Sequence, residues 1–515
     1  MEANCNISQD QAHLSERLKL LHHLGYLGPF VDGSSDADVE GAHILDAIAL
    51  ALTTDKPGKI FAAAFDKRQG VTLVLAKNGP VTDEDNRTVR GLIQAITAPS
   101  TKHVPDIYPF LLSRGRNSIE KQARKIFEAA DKFSRHIDAI SEPYESHKYS
   151  TRLPTLDEEF PGSTHYRQAY ETKQALTSTS MMHNLVKDLQ GLCTEHFEKK
   201  DKRFTLLVLA VFMLCSCRFL SWACNNMDAE DLQSAQDLKR RLSKFCRYLK
   251  SMDKLIGHAK RMPSSIQYRW VNPIYDGEST LALPDKHLSV ISRVFGGSLS
   301  ESDEQILDER LHDLQEKWSS SRNVTIRLHV EIRLLLHLSD PSIGEDQPMP
   351  IGCSKRTCLC CTLWIEEYNR NFKTNWLTSG SSGKPRVDWA LPHANAAVAD
   401  KSKGNVVDNA VLRRVSHCLK RELWAMLPDE DEFTTDPAFY VTLDPQGDRW
   451  ACLRSLTERR QELDRKRRLL AKSKEHTAPA GKALLASFKH LVLAMAASRS
   501  ESEVFADQAL LAQQF

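Results

Sequence analysis

The sequence has almost no charge imbalance. Its 515 residues carry 69 Lys plus Arg against 67 Asp plus Glu, a formal +2. No whole-molecule field therefore gathers a polyanion, and any site for one has to be local. Long apolar runs are also missing. The longest, Phe204 to Cys217, stops at Arg218; it is too short for a hydrocarbon core of about 30 Å and reads as a buried helix. The first residues, MEANCNISQDQAHLSERLK, hold no basic stretch leading into an apolar one, so no secretory signal is expected. No segment repeats at a fixed period. With 41% hydrophobic and 26% charged residues, a disordered or collagen-like chain is excluded as well. These absences predict an intracellular protein, cytoplasmic or nuclear, that is neither secreted nor attached to a membrane.

What is present is length and a crowd of cysteines. The length exceeds what one ordinary domain needs, which predicts two to four structural units. Twelve cysteines without a secretion signal point to a reducing compartment and free thiols. Four of them, Cys353, Cys358, Cys360 and Cys361, fall within nine residues.

Along the chain the hydrophobic period changes several times. Residues 1–30 are amphipathic, and Ala42 to Thr53 reads as a buried helix. Lys59–Asp66 and Val71–Lys77 are short apolar runs joined by a turn, a hairpin pattern, and Asn78-Gly79-Pro80 ends the second strand. From Asp83 to about residue 320 the pattern is mostly helical: 84–97, 116–140, 165–197, 203–224, 229–259 and 303–318. Breaks fall near 141–164, 262–285 and 296–302, and the second carries Tyr268, Trp270 and Tyr275, too aromatic for a free linker. Val324–Leu338 reads as a short extended lead into a helix. Met349–Cys353 suits a short strand, Cys358–Phe372 a helix, and Val387–Leu391 another strand after the Gly380–Lys384 turn. Helices are expected at 405–427, in a charged tail from 453 and at 482–497.

The chemistry concentrates in His329, Glu331, Cys358 and Cys361. Imidazole and thiolate are ordinary zinc ligands. Cys358 and Cys361 stand three apart, so both thiols can point the same way from the first turn of a helix, whose free N–H groups also favour thiolates. Three protein ligands leave a fourth position for water, the arrangement of a catalytic site. Glu331, two residues past His329, stands beside the metal without having to bind it, and could move a proton. Two blander alternatives remain open: reduced core cysteines beside a buried histidine, or a structural zinc site with Cys353 or Cys360 as fourth ligand. Cys360 projects about 100° from its neighbours on an ideal helix, which favours packing.

The order H-x-E, then C-x-x-C after 26 residues, is that of the zinc deaminases. Three stretches extend the likeness: His329-Val-Glu-Ile-Arg-Leu-Leu-Leu-His-Leu338, Ile351-Gly-Cys-Ser-Lys355, and the Cys358 helix through Trp364-Ile-Glu-Glu-Tyr-Asn369. Together they resemble the cytidine-deaminase-like superfamily, in particular a fungal branch related to rickettsial toxin-type nucleic-acid or nucleotide deaminases. The likeness covers about 65 residues, Val324 to Trp389. It implies an α/β/α sandwich on a five-stranded mixed sheet. It also implies Zn²⁺ held by His329, Cys358 and Cys361, a zinc-bound hydroxide as nucleophile, Glu331 as proton shuttle, and a nucleotide or nucleic-acid substrate. Two positions depart from the pattern. Thr357 stands where members usually have Pro, and Gly380-Ser381-Ser382-Gly383 replaces a turn that often holds a His. The alternative function is an inactive zinc scaffold that binds a protein partner.

Such a core needs a helix and a hairpin before its H-x-E helix, and residues 262–323 offer no convincing hairpin. The segment 42–82 supplies both parts in order. The expected division is therefore 1–41 as an N-terminal helical segment and 42–82 as the first part of the core. Residues 83–320 form a helical insertion, 321–395 the second core part, and 396–515 a helical extension. By the same resemblance Asn78 is expected to touch the nucleoside. Trp389 is a candidate for lining the base pocket, with core packing as its alternative. A basic run, Lys239, Arg240, Arg241, Lys244, Arg247, Lys250 and Lys254 with Phe245 and Tyr248 interleaved, suits either a nucleic-acid face or, preferably, a solvated helix whose aromatics face the core.

Overall fold

A computed structural model describes residues 9–28, 37–53, 59–68, 70–150, 155–164, 177–194, 202–261, 266–271, 279–297, 300–339, 347–392 and 401–427. The helices expected from 453 onward and at 482–497 lie outside the described residues, as does part of 165–197. The described residues form two compact units. One lies within 1–131, 189–211 and 240–427, the other within 132–188, 212–239 and 428–515.

The first unit is built on a mixed five-stranded sheet flanked by helices. Its strands are β1 (Phe61–Asp66), β2 (Thr72–Lys77), β3 (Gln267–Trp270), β6 (Pro348–Cys353) and β7 (Asn375–Thr378), in the spatial order β3-β2-β1-β6-β7. The strands β4 (Ser279–Ala282) and β5 (Asn323–Ile326) form a separate antiparallel pair. The expected hairpin is present: β1 and β2 pair antiparallel, with Ala62 opposite Ala76 and Ala64 opposite Val74. On its other side β1 pairs with β6, Ala62 opposite Cys353 and Ala63 opposite Gly352. Strands from residues 61–77 and 348–353 thus share one sheet across a long intervening segment. Loop-closure entropy permits this, because its cost grows only logarithmically with length.

That intervening segment is helical, with two short strands inside it. The aromatic break at 262–285 packs down as β3, parallel to β2, with the Trp270 indole donating to Asn86 Oδ1 at 2.9 Å. The helix expected at 116–140 is two helices, Tyr108–Ser134 and Ile137–Ser150, and the second carries Pro143 through the expected break. Val387–Leu391 is no full strand; it makes a single bridge, Arg327 to Trp389.

The central strand is thin for a reason. Ala62, Ala63 and Ala64 are all buried, so helices approach closely on both faces. On one face the helix Ala37–Ala51 presses onto Gly352, where a Cβ would lie 2.0 Å from the Leu45 carbonyl carbon. Asp46 of that helix accepts the Cys353 backbone N–H at 2.7 Å. The next side chain along the strand, Cys353, points to the other face, as the pleat requires. There it meets the helix Val330–Leu338, which packs on β1, β2 and β6. Arg333 of this helix is buried and donates to the Lys77 carbonyl at 2.9 Å, which ties the end of β2 to the helix that follows His329. Among the described residues, no single helix is long and apolar enough to cross a membrane.

The second unit holds the helix Ile137–Ser150 and a short turn, Leu156–Glu159. Glu159 is fully buried there. Lys148 Nζ lies 2.9 Å away, the Tyr144 hydroxyl donates at 2.8 Å, and the Ser178 hydroxyl also donates.

Candidate metal centre

Three local features bring the ligand atoms together. His329 is the N-cap of the helix Val330–Leu338, in an extended conformation that turns its ring away from the helix. Cys358 is the N-cap of the helix Leu359–Phe372 and accepts the Cys361 backbone N–H on its sulfur at 3.4 Å. Cys361, three residues on, sits in the first turn. All three are buried, with one donor atom from each within 4.8 Å of the others. His329 Nδ1 lies 3.6 Å from Cys358 Sγ and 3.3 Å from Cys361 Sγ. A tetrahedral zinc with bonds of about 2.3 Å to sulfur and 2.0–2.1 Å to nitrogen places such atoms about 3.6 Å apart. The donor set therefore fits the ion in type and spacing.

The charges follow from this crowding. Burial raises the Cys358 thiol, but hydrogen bonds from Cys361 and the His329 imidazole outweigh it and hold the group well below the usual thiol range. Burial also opposes the His329 cation, yet the Cys358 thiolate and Asp388 push its pKa up to about 10. Cys361, buried beside that thiolate, is pushed well above its ordinary value. Without metal the two sulfurs thus share one negative charge, balanced by an imidazolium. A divalent ion held by these residues would require both thiols deprotonated and the imidazole neutral.

Glu331 is buried within this cluster. Burial pushes its carboxyl above the ordinary range, and the charge on His329 offsets this only in part. Its neighbours are thiols: Cys361 Sγ at 3.9 Å from Oε2, and Cys353, which hydrogen-bonds the carboxylate from β6. Cys353 and the buried Cys360 both stand outside the three-residue ligand group.

The sequence reading missed Asp388. The segment 386–391 runs beside Arg327, with Arg327 N–H to Asp388 carbonyl and Ala390 N–H to Arg327 carbonyl, each at 2.9 Å. This sets Asp388 Oδ1 3.8 Å from His329 Nε2. Arg327 and Arg386 both donate to the same carboxylate, at 3.1–3.3 Å. Burial works against the Asp388 charge, but His329 and Arg386 keep the group ionised far below the usual carboxylate range. A fixed carboxylate behind Nε2 leaves Nδ1 facing the sulfurs. The available signal was the arginine-flanked acid in Arg386-Val-Asp-Trp389.

Trp389 is fully buried, and its indole N–H donates to Cys361 Sγ at 3.3 Å. It packs in the core, as one of its two expected roles requires, and it also bonds a ligand sulfur. Gln11 clamps this segment, donating to the Trp389 carbonyl at 3.1 Å and accepting from Leu391 N–H at 2.7 Å. Asn78 is half-buried and follows Lys77, whose carbonyl Arg333 holds.

The two departures from the deaminase pattern meet in space. Thr357 Oγ1 donates to the Gly380 carbonyl at 3.1 Å, and the Thr357 carbonyl accepts from Ser382 N–H and Oγ at 2.8 and 2.9 Å. Thr362 Oγ1 donates to Ser381 Oγ at 2.8 Å, and Ser381 is buried. The glycine turn is thus pinned to the strand-to-helix loop that presents Cys358.

Residues 328–393 match a family model described as OTT_1508_deam-like deaminase. No curated protein matches the chain, and no solved structure does. The matched segment encloses His329, Glu331, Cys358, Cys361, Asp388 and Trp389, and it identifies this part of the chain as deaminase-like.

Proposed function

We propose that the protein is a zinc-dependent hydrolytic deaminase acting on a nucleobase, within a nucleotide or a nucleic acid. One observation carries this reading: a buried carboxyl, Glu331, stands against a three-ligand set that has no fourth protein ligand among the described residues. A purely structural site has no use for such a carboxyl.

His329, Cys358 and Cys361 hold the ion. A zinc ion bound there would supply the chemistry that activates a water as nucleophile at neutral pH. Glu331 takes up the proton of the attacking water and delivers it to the departing amine. Its raised pKa suits a group that must hold that proton between the two events. Cys353 orients the carboxyl, and Asp388 keeps His329 in the ligating tautomer. Asn78, at the end of β2, contacts the nucleoside, and Trp389 backs the pocket. The catalytic core is split, 42–82 with 321–395, around the 83–320 insertion.

A second reading, a zinc-stabilised scaffold without activity, draws on the glycine turn. Its serines are engaged with Thr357 and Thr362 rather than available to a substrate. Ammonia release from cytosine- and adenine-bearing nucleosides, nucleotides and single strands separates the two. Release by the zinc-loaded chain that disappears in Glu331→Ala supports the enzyme. Zinc binding with no release from any substrate supports the scaffold.

A further inference from the structure

The helix Gln9–His23 lies outside the family-matched segment 328–393 and outside the residues 42–82 that supply the hairpin. It still reaches the metal centre, through one side chain. Gln11 is buried, and its carboxamide is used at both ends. Nε2 donates to the Trp389 carbonyl and to Ser15 Oγ, each at 3.1 Å, and Oε1 accepts from Leu391 N–H at 2.7 Å. Residues 388–391 are thereby bonded along two edges. On one, Arg327 N–H donates to the Asp388 carbonyl and the Arg327 carbonyl accepts from Ala390 N–H. On the other, Gln11 takes the Trp389 carbonyl and the Leu391 N–H that alternate with them. The carboxamide stands where the backbone of a neighbouring strand would stand. A carboxylate has no donor and an ammonium no acceptor, so a neutral amide suits this pair of bonds.

The segment held in this way touches two metal ligands. Asp388 Oδ1 lies 3.8 Å from His329 Nε2, and the Trp389 indole donates to Cys361 Sγ at 3.3 Å. The carbonyl that Gln11 bonds belongs to the same residue as that indole. A shift of the backbone there carries the indole off the sulfur, and a hydrogen bond weakens steeply once its distance and angle leave the normal range. The helix itself is seated without Gln11. Leu14, Leu18, Leu20 and Leu21 are fully buried. Arg293 donates to Glu16 at 2.6 Å, and Lys19 Nζ donates to the Trp318 and Ser321 carbonyls at 2.8 Å. The helix is a fixed frame, and the carboxamide is the arm by which it sets the place of residues 388–391.

We infer that Gln11 is a positioning residue of the metal centre: it touches no ligand, and it acts on the ion through Trp389 and Asp388. This rests on His329, Cys358 and Cys361 holding a metal, and not on which reaction the chain performs. It makes the N-terminal helix part of the site, although nothing in that helix carries metal or acid–base chemistry of its own.

The test reads the metal rather than turnover. Zinc affinity of the full-length chain is measured by competition with a chelator. Cobalt in place of zinc reports the thiolates through their charge-transfer absorption in the near ultraviolet. Gln11→Met keeps the length of the side chain and removes these hydrogen bonds. It should weaken zinc binding about 3–10-fold, less than the roughly 10–100-fold loss of a group that bonds a ligand directly, and it should move the cobalt band. Leu18→Ala is the control. It opens a cavity under the same helix, seven residues from Gln11 and about 10 Å along the axis. It should lower the denaturation midpoint at least as far as Gln11→Met does. It should change zinc affinity less than about twofold, since sites this far apart act independently, and leave the cobalt band in place. Zinc loss that follows stability loss in both variants makes Gln11 merely structural and overturns the inference. So does unchanged zinc affinity in Gln11→Met. Should Gln11→Met fail to fold, Gln11→Glu replaces it. It keeps the acceptor for Leu391 N–H and, once ionised, lacks the donor to the Trp389 carbonyl, so weaker zinc and a moved band are again expected. A wild-type chain that shows no thiolate band with cobalt removes the metal reading, and the role of Gln11 with it. A wild-type band that is insensitive to both Gln11 variants removes the role of Gln11 alone.

Discussion

The chain buries two glutamates in different ways. Glu159, in the second unit, is met by a lysine ammonium, a phenol and a serine hydroxyl. Glu331, in the first, is met by two thiols and by an imidazole drawn toward Cys358 and Asp388. A buried charge is tolerated when its partners repay the lost hydration. Glu159 satisfies that condition with groups whose geometry needs nothing further. Glu331 does not: its carboxyl sits above its ordinary pKa, beside thiols that await a cation. The difference separates a carboxylate that supports folding from one kept for chemistry.

Substitution can break this comparison. The largest effect on stability is expected at Glu159→Gln, which leaves the mostly buried Lys148 without its closest counter-charge. It should cost about 3–5 kcal/mol, the usual penalty for removing one member of a buried pair, read by denaturant unfolding. Glu331→Gln should behave in the opposite way. Deamination should fall at least about 10²-fold, the low end for a general acid–base group, while the metal-free chain becomes more stable. The sign follows from the raised pKa. A carboxyl whose folded pKa exceeds its unfolded value near 4.5 destabilises the fold once pH rises through that range. The advantage of the glutamine variant should therefore be absent in acid, below the unfolded pKa, and grow toward neutral pH. Thermal melts of both metal-free proteins across that range check it, and a wild type more stable than the variant at neutral pH would contradict it.

Smaller effects sharpen the account of what holds the site. Asp388→Asn should weaken zinc binding about 10–100-fold, as loss of a carboxylate behind a ligating histidine does, measured by competition with a chelator. Thr357→Val keeps the shape but removes the hydroxyl that bonds the Gly380 carbonyl. It should cost about 1 kcal/mol and leave zinc stoichiometry unchanged.

Legibility in the sequence followed the range of the interaction. The hairpin was readable because Asn78-Gly79-Pro80 and two short apolar runs are local signals. The ligand set was readable because His329 with Glu331, and Cys358 with Cys361, are short motifs whose chemistry travels with their spacing. β3 was not, since four residues of alternating exposure carry too little periodicity to stand out from an aromatic loop. Asp388 is isolated in sequence and gains its role only when the 386–391 segment lies along Arg327. Gln11 bonds groups 378 and 380 residues away, which no local pattern announces. Gly352 looks like an ordinary strand glycine until the helix Ala37–Ala51 is placed against it. The basic run showed its charge and its aromatics plainly, and Phe245 packs inward against Phe204.

The central claim is an open metal site of one imidazole and two thiolates with a carboxyl beside it. X-ray absorption at the zinc edge of the purified, zinc-loaded chain tests it most directly. The account predicts about one zinc per chain with two sulfur neighbours near 2.3 Å and two nitrogen or oxygen neighbours near 2.0 Å, and loss of that zinc in Cys358→Ala and Cys361→Ala. A third sulfur, from Cys353 or Cys360, would make the site a closed structural one. Unchanged stoichiometric zinc in both cysteine variants would place the ion elsewhere.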